Sequence, residues 1–267
     1  MSAPKKVHFP PFMLDIVGEL YSPATASEER DGAAVVISHP MTGVKEQTAA
    51  DHARLLVSQA GFYAPTFDAG YQGETRRPSL AGQWRTQEAD GDDDDNNKAP
   101  RMFSTDISSV PDDADSSFKD AAAYYGSKRG RRDRSDQRVP PMSYDLIVSY
   151  DSFNFQHPIS PRALLMIAGT EARTLHFSEA AVDAAREPKE LFTIEGRNRF
   201  DLYDDLEKSG PKLVEFFSGR ISARMRNKLL LQQDTDHIVS NTSVCSKRTK
   251  LAFAPQARLH ATSDFVW

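Results

Sequence analysis

The sequence predicts an α/β fold, a mostly parallel sheet with flanking helices. Two observations carry the prediction. Ala33-Ala34-Val35-Val36-Ile37-Ser38 and Ala163-Leu164-Leu165-Met166-Ile167-Ala168 are continuous apolar runs of strand length, the pattern of strands buried on both faces. After the first run, Gln47 to Ala60 places Ala49, Ala53, Leu56, Val57 and Ala60 at helical spacing, and Phe62 to Phe67 returns as a strand. Strand, helix and strand make one βαβ unit.

The elements follow in order. Val7 to Leu20 reads as a hairpin or two edge strands, with Pro10-Pro11 at the turn. Gly61 suits the C-cap of the 47–60 helix. Residues 69–117 are poor in apolar side chains and carry the acidic run Asp92 to Asp95. That run is expected to be solvated, since it lacks the spacing and turn of a calcium loop. Phe118 to Tyr125 predicts a short helix. Order resumes at Tyr144 to Tyr150, and Ser178 is placed as the cap of a helix to about Arg186. Leu191 to Ile194 predicts a further strand, and Pro211 to Ser218 a closing helix with proline at its start.

Composition narrows the classes of function. The chain has 267 residues, 39% hydrophobic and 27% charged, which suits a globular domain. No apolar stretch approaches the roughly 18 to 20 residues of a membrane span, and no apolar core follows the N-terminal lysines. A single cysteine, Cys245, fits a reducing compartment, so an intracellular, cytoplasmic location is expected. Lys128 to Arg138 is basic, but Asp133 and Asp136 interrupt it and no aromatics interleave. A solvated loop is expected there, with no nucleic-acid partner. No membrane partner, metal or cofactor is expected. The net charge is -5, yet residues 220–267 carry eight Lys or Arg against three Asp. They are read as a basic, divergent tail.

The loops at the strand C-terminal ends begin at His39, Asp68, Gly169 and Ile194, where an open α/β sheet binds ligands. Here the sequence His39-Pro40-Met41-Thr42-Gly43-Val44-Lys45-Glu46-Gln47 and the sequence Phe67-Asp68-Ala69-Gly70-Tyr71-Gln72-Gly73-Glu74 resemble two motifs of one family. It is the dienelactone-hydrolase-like branch of the α/β-hydrolases, whose fungal members include polyketide transferases. Ser143 to Leu146, Tyr150 to Phe153, Ile159 to Arg162, Leu164 to Glu171, Phe177 to Glu179, Glu187 to Phe192 and Asp201 to Asp204 extend the likeness over roughly residues 5–76 and 79–219. The resemblance implies acyl hydrolysis or transfer from esters or thioesters, through a Ser or Cys nucleophile and an acyl-enzyme. It also implies an oxyanion-hole amide from Met41 and a substrate pocket near His39, Asp68 and Gln72.

The sequence departs from that family at each catalytic position. The nucleophile should stand on a tight strand-to-helix turn between glycines, yet no Ser or Cys has glycine at both -2 and +2. Between Arg77 and Ser79 the family would place two or more βα units, on the order of 60 to 90 residues. The acid position is occupied by Arg173 and the base position by Arg199. A guanidinium, with a pKa above about 12, is no general base near neutral pH. Glu171 and His176, nearby, are expected to be solvated loop residues. The chain thus reads as one domain, 1–219, made of an N-terminal part (5–76), a cap or loop-rich insert (79–143) and a C-terminal part (144–219). Two functions stay open: an acyl hydrolase or transferase taking a small acyl ester or thioester, and an inactive remnant that keeps a binding role. Without the central strand the two halves would expose strand edges, favouring aggregation, or would pair directly. Oligomeric state is left open.

Overall fold

A computed structural model describes residues 2–9, 15–25, 27, 30, 32–70, 72–75, 101–139, 143–144 and 148–220. The Pro10-Pro11 turn, the Arg77–Ser79 junction, Asp92 to Asp95, Cys245 and the tail from 221 onward lie outside the described residues.

The hairpin forms as expected: β1 (Lys5–Phe9) and β2 (Ile16–Tyr21) run antiparallel, with Lys5 opposite Leu20. The βαβ unit follows, as β3 (Ile37–Ser38), α1 (Thr48–Ala60) and β4 (Ala64–Phe67). β3 and β4 pair parallel, and β4 also pairs antiparallel with β2, giving the order β1-β2-β4-β3. α1 buries Ala49, Ala53, Leu56, Val57 and Ala60, the stripe its sequence spacing put on one face. Gly61 ends it at φ 70°, a left-handed conformation that glycine adopts without steric cost. The run from Ala33 is less regular than its composition suggests. It makes ladder bonds only at Ile37–Ser38, with one parallel bridge from Ala34 to Tyr63 upstream. Among the described residues its other edge is unpaired, and Val36 is left 54% exposed.

A second βαβ unit holds the other half. β5 (Leu164–Gly169) pairs parallel with β6 (Lys189–Ile194) over six residue pairs, and helix Leu175–Ala184 crosses between them. That helix starts before Ser178, because the turn from Ala172 winds directly into it. Gly169 ends β5 against the next loop, and a Cβ there would run into the Arg197 carbonyl. The closing helix spans 209–220, so Pro211 sits in its first turn, where its missing N–H costs nothing. The four-stranded sheet is mixed, since β2 is antiparallel to both of its neighbours, and the two-stranded sheet is parallel; with their helices they make the α/β fold expected.

Among the described residues no hydrogen-bonded strand links the two sheets. They meet through side chains instead. Val35, Leu56, Ala60 and Phe62 from the first half form one buried cluster with Ala163, Leu165, Leu213, Phe216 and Phe217 from the second. Burial of such side chains stabilises by about 1.5–3 kcal/mol each before entropy is charged against it. No described helix is long and apolar enough to cross a membrane.

The insert is more ordered than its composition suggested. Residues 107–109 form one 3-10 turn, and α2 (Ser116–Tyr125) starts at Asp115, whose carboxylate accepts from Ser117 N at 2.9 Å. Its Tyr124 and Tyr125 are buried against Phe200. Lys128 to Arg138 is an exposed loop over most of its length, as expected, but Ser135 and Gln137 within it are buried, and Arg129 and Arg134 are ion-paired.

Candidate functional site

The loop after β3 turns sharply, with Gly43 N donating to Pro40 O at 2.9 Å. Thr42 occupies the third turn position at φ 68°, a conformation a β-branched residue takes only under constraint. The constraint is visible. Thr42 Oγ1 donates to Gln137 Oε1 at 2.5 Å, and its carbonyl accepts from Ser135 Oγ at 2.9 Å and Gln137 Nε2 at 3.2 Å. Met41, one residue earlier, is 41% exposed, and among the described residues its N–H has no protein acceptor.

His39 is built into the scaffold. Its Nε2 accepts from Ala69 N at 2.9 Å, so the proton lies on Nδ1, which donates to Pro40 O at 2.8 Å. Burial holds its pKa below the ordinary value, against the Pro40 bond and the Asp68 charge. Neutral and bonded at both nitrogens, His39 braces the ends of β3 and β4. Asp68 is corrected more strongly. Instead of lining a pocket it is fully buried, and its carboxylate accepts from Lys45 N, Lys45 Nζ and Glu74 N, each at 2.8 Å.

Lys45 is the centre that sequence reasoning missed. It is fully buried, with Nζ 2.7 Å from Glu46, 2.8 Å from Asp68 and 3.0 Å from Glu74. Burial opposes its charge, but the three carboxylates outweigh burial and raise its pKa. Glu74 is lowered to about 2, first by the bond from Lys6 and then by Lys45 and Arg134. The carboxylates of Glu46, Asp68 and Glu74 lie within 4.8 Å of one another, close enough to suggest a metal. The Lys45 ammonium already sits among them, so the cluster reads as an ion-pair knot. No local pattern marks Lys45 as buried, because its partners Asp68 and Glu74 lie 23 and 29 residues away.

Gln72 is half-buried and donates weakly to Arg138 O at 3.4 Å. Arg173 and Arg199, which the resemblance puts at the acid and base positions, are both exposed. Arg173, after β5, pairs with Asp115 Oδ2 at 2.9 Å. Arg199, after β6, donates from Nε to Tyr203 Oη at 3.1 Å. Glu171 and His176 are exposed, as expected. The structure therefore brings His39, Met41 and Asp68 to one end of the first sheet, and Arg173 and Arg199 to the corresponding end of the second.

Comparison with solved structures decides the fold. The hypothetical protein PA2218 from Pseudomonas aeruginosa aligns with a TM-score of 0.66 at 20% identity, over 81% of this chain and 93% of that one. DcsB, in complex with its substrate analogue, aligns with a TM-score of 0.57 at 12% identity, over 82% of this chain and 98% of that one. The α/β-hydrolase GrgF from Penicillium sp. sh18 gives 0.50 at 14% identity, over 82% of this chain and 99% of that one. The chain has the α/β-hydrolase fold. Sequence relatives are local: 35% identity over 91 residues with the uncharacterized protein PA2218, and 46% over 56 residues with the uncharacterized protein YcjY of Escherichia coli. These matches cover 32% and 21% of this chain, and span only 24% and 18% of the relatives' own lengths. No protein-family model matches the chain. Within the α/β-hydrolase fold, the loops after β3, β4, β5 and β6 are the ends at which ligands bind.

Proposed function

We propose that the chain descends from acyl hydrolases and acyltransferases acting on small esters or thioesters, and that it has itself lost turnover while keeping a ligand-binding role. The lineage we infer is the dienelactone-hydrolase-like branch with the fungal polyketide transferases, supported by the His39–Gln47 and Phe67–Glu74 motifs. The observation that carries the loss is the pair Arg173 and Arg199. Both cations stand where acid and base belong, and both are engaged in contacts unrelated to proton transfer. The gap at Arg77–Ser79 removes the nucleophile by a separate event, since a deletion there would not replace the other two residues. We read 1–219 as one domain and 220–267 as a separate basic tail. The competing reading, an active acyl hydrolase, draws on the open Met41 N–H as half of an oxyanion hole. Assays with p-nitrophenyl esters and a model acyl thioester distinguish the two. We expect rates equal to the buffer blank; turnover that survives purification and is blocked by a serine-reactive phosphonate overturns the proposal.

A further inference from the structure

Among the described residues, Thr42 at φ 68° and Gln137 at φ 66° are the non-glycine residues with a positive φ, and they are bonded to each other. Thr42 is the third residue of the Pro40–Gly43 turn, where a positive φ marks the type II form. The turn's own sequence disfavours that form. A β-branched side chain is strained in the left-handed region, and glycine at the fourth position suits a type I turn. Passing between the forms rotates the Met41–Thr42 peptide by about half a turn, so that the Thr42 N–H and the Met41 carbonyl exchange sides. The bonds that oppose this come from one place. Gln137 Oε1 accepts from Thr42 Oγ1, and its Nε2 donates to the Thr42 carbonyl and, at 2.7 Å, to Ser135 Oγ. Ser135 Oγ donates to the same carbonyl, and all three residues are buried. Gln137 is anchored on its own side, since its carbonyl accepts from Met102 N at 2.8 Å and Arg138 beside it bridges to Arg101.

We infer that Gln137 and Ser135 are positioning residues for the turn after β3, holding it in the type II form and fixing the direction of the Met41–Thr42 peptide. This rests on the proposed function only in taking that loop as ligand-facing. A ligand there meets the N–H or the carbonyl of this peptide according to the form of the turn. The clasp is specific in two ways. The Thr42 carbonyl takes two donors, one for each lone pair. The Gln137 amide fits Thr42 in one orientation, since turning it over sets Oε1 against the Thr42 carbonyl, two acceptors with no proton between them. A strained backbone persists only while its surroundings hold it. Loss of the Gln137 amide therefore releases the turn, whereas glycine at position 42 takes the left-handed conformation without needing the clasp.

Residue-specific NMR on the full chain, isotope-labelled at Met and Thr, tests this. A type II turn brings the Met41 α-proton close to the amide proton of position 42 and gives a strong NOE, whereas a type I turn gives a weak one. The parent should show the strong NOE. In Gln137→Met, which keeps the side-chain volume and removes the amide, the ratio of type II to type I should fall by about 5- to 30-fold, the weight of one strained left-handed residue. Ser135→Ala should reduce it less, because Gln137 keeps both of its bonds to Thr42. Adding Thr42→Gly to Gln137→Met, with glycine labelled, should bring the strong NOE back. A strong NOE that survives Gln137→Met overturns the inference, because something other than the clasp then holds the turn. So does a weak NOE in the parent, or a weak NOE that Thr42→Gly fails to restore, since the substitution would then have disordered the loop. The turn is read without ligand, so ester turnover by the parent would sink the proposed function and leave the clasp standing.

Discussion

The loops at the strand C-terminal ends of the two sheets differ in what they are made of. After β3 and β4, the charged and polar residues are buried and bonded to one another: His39, Lys45 and Asp68. After β5 and β6, Arg173 and Arg199 lie exposed on the surface. The first end owes its residues to architecture, because a buried charge without partners costs several kcal/mol. The second end carried the chemistry in the resembled family, and its residues are free to change with little cost to folding. A motif in the sequence can therefore mark a scaffold rather than a reactive group.

The largest effect that would break this contrast is at the knot. Lys45→Met leaves Asp68 buried without its cation, and should cost about 3–5 kcal/mol in denaturant unfolding. A loss below about 1 kcal/mol would show that the knot is not structural. Next comes the joint between the sheets, where Leu165→Ala should cost about 2–5 kcal/mol as a buried cavity. A cost at the surface level would mean that the cluster does not join the halves. Glu74 supplies a pH test. Its folded pKa of about 2 lies below the ordinary 4.5, so its contribution is present above about 4.5 and is lost as pH falls through about 2. Acid titration of Glu74→Gln should show a shallower fall in stability across that window than the parent, and an identical slope would contradict the assignment. The smallest effects belong to the other end. Arg173→Ala and Arg199→Ala should each change stability by less than about 1 kcal/mol, read as a small shift in Tm.

How much was legible in the sequence follows the same division. Local periodicity found α1 within one residue of its start, and its Gly61 cap. Apolar runs found β5 and β6, because each has a parallel partner to bury one edge. The same signal overextended β3, whose edge beyond Ile37 has no partner among the described residues. Composition found the exposed charged residues of Lys128 to Arg138 but not its buried Ser135 and Gln137, since sequence alone does not disclose that Thr42 lies opposite them. At the candidate site, Asp68 was expected in a pocket from its place after a strand end, and its burial was not legible because its partner Lys45 is a residue type rarely found inside. Met41, for which the resemblance implies an oxyanion amide, lies on an exposed turn.

The central claim is that this α/β-hydrolase fold holds no acylating nucleophile. Intact-mass spectrometry after treatment of the full chain with a fluorophosphonate tests it most directly. The account predicts the unmodified mass of the 29.7 kDa chain at all times of incubation. A stoichiometric adduct that maps to a single Ser, and is lost on heat denaturation before labelling, would contradict it.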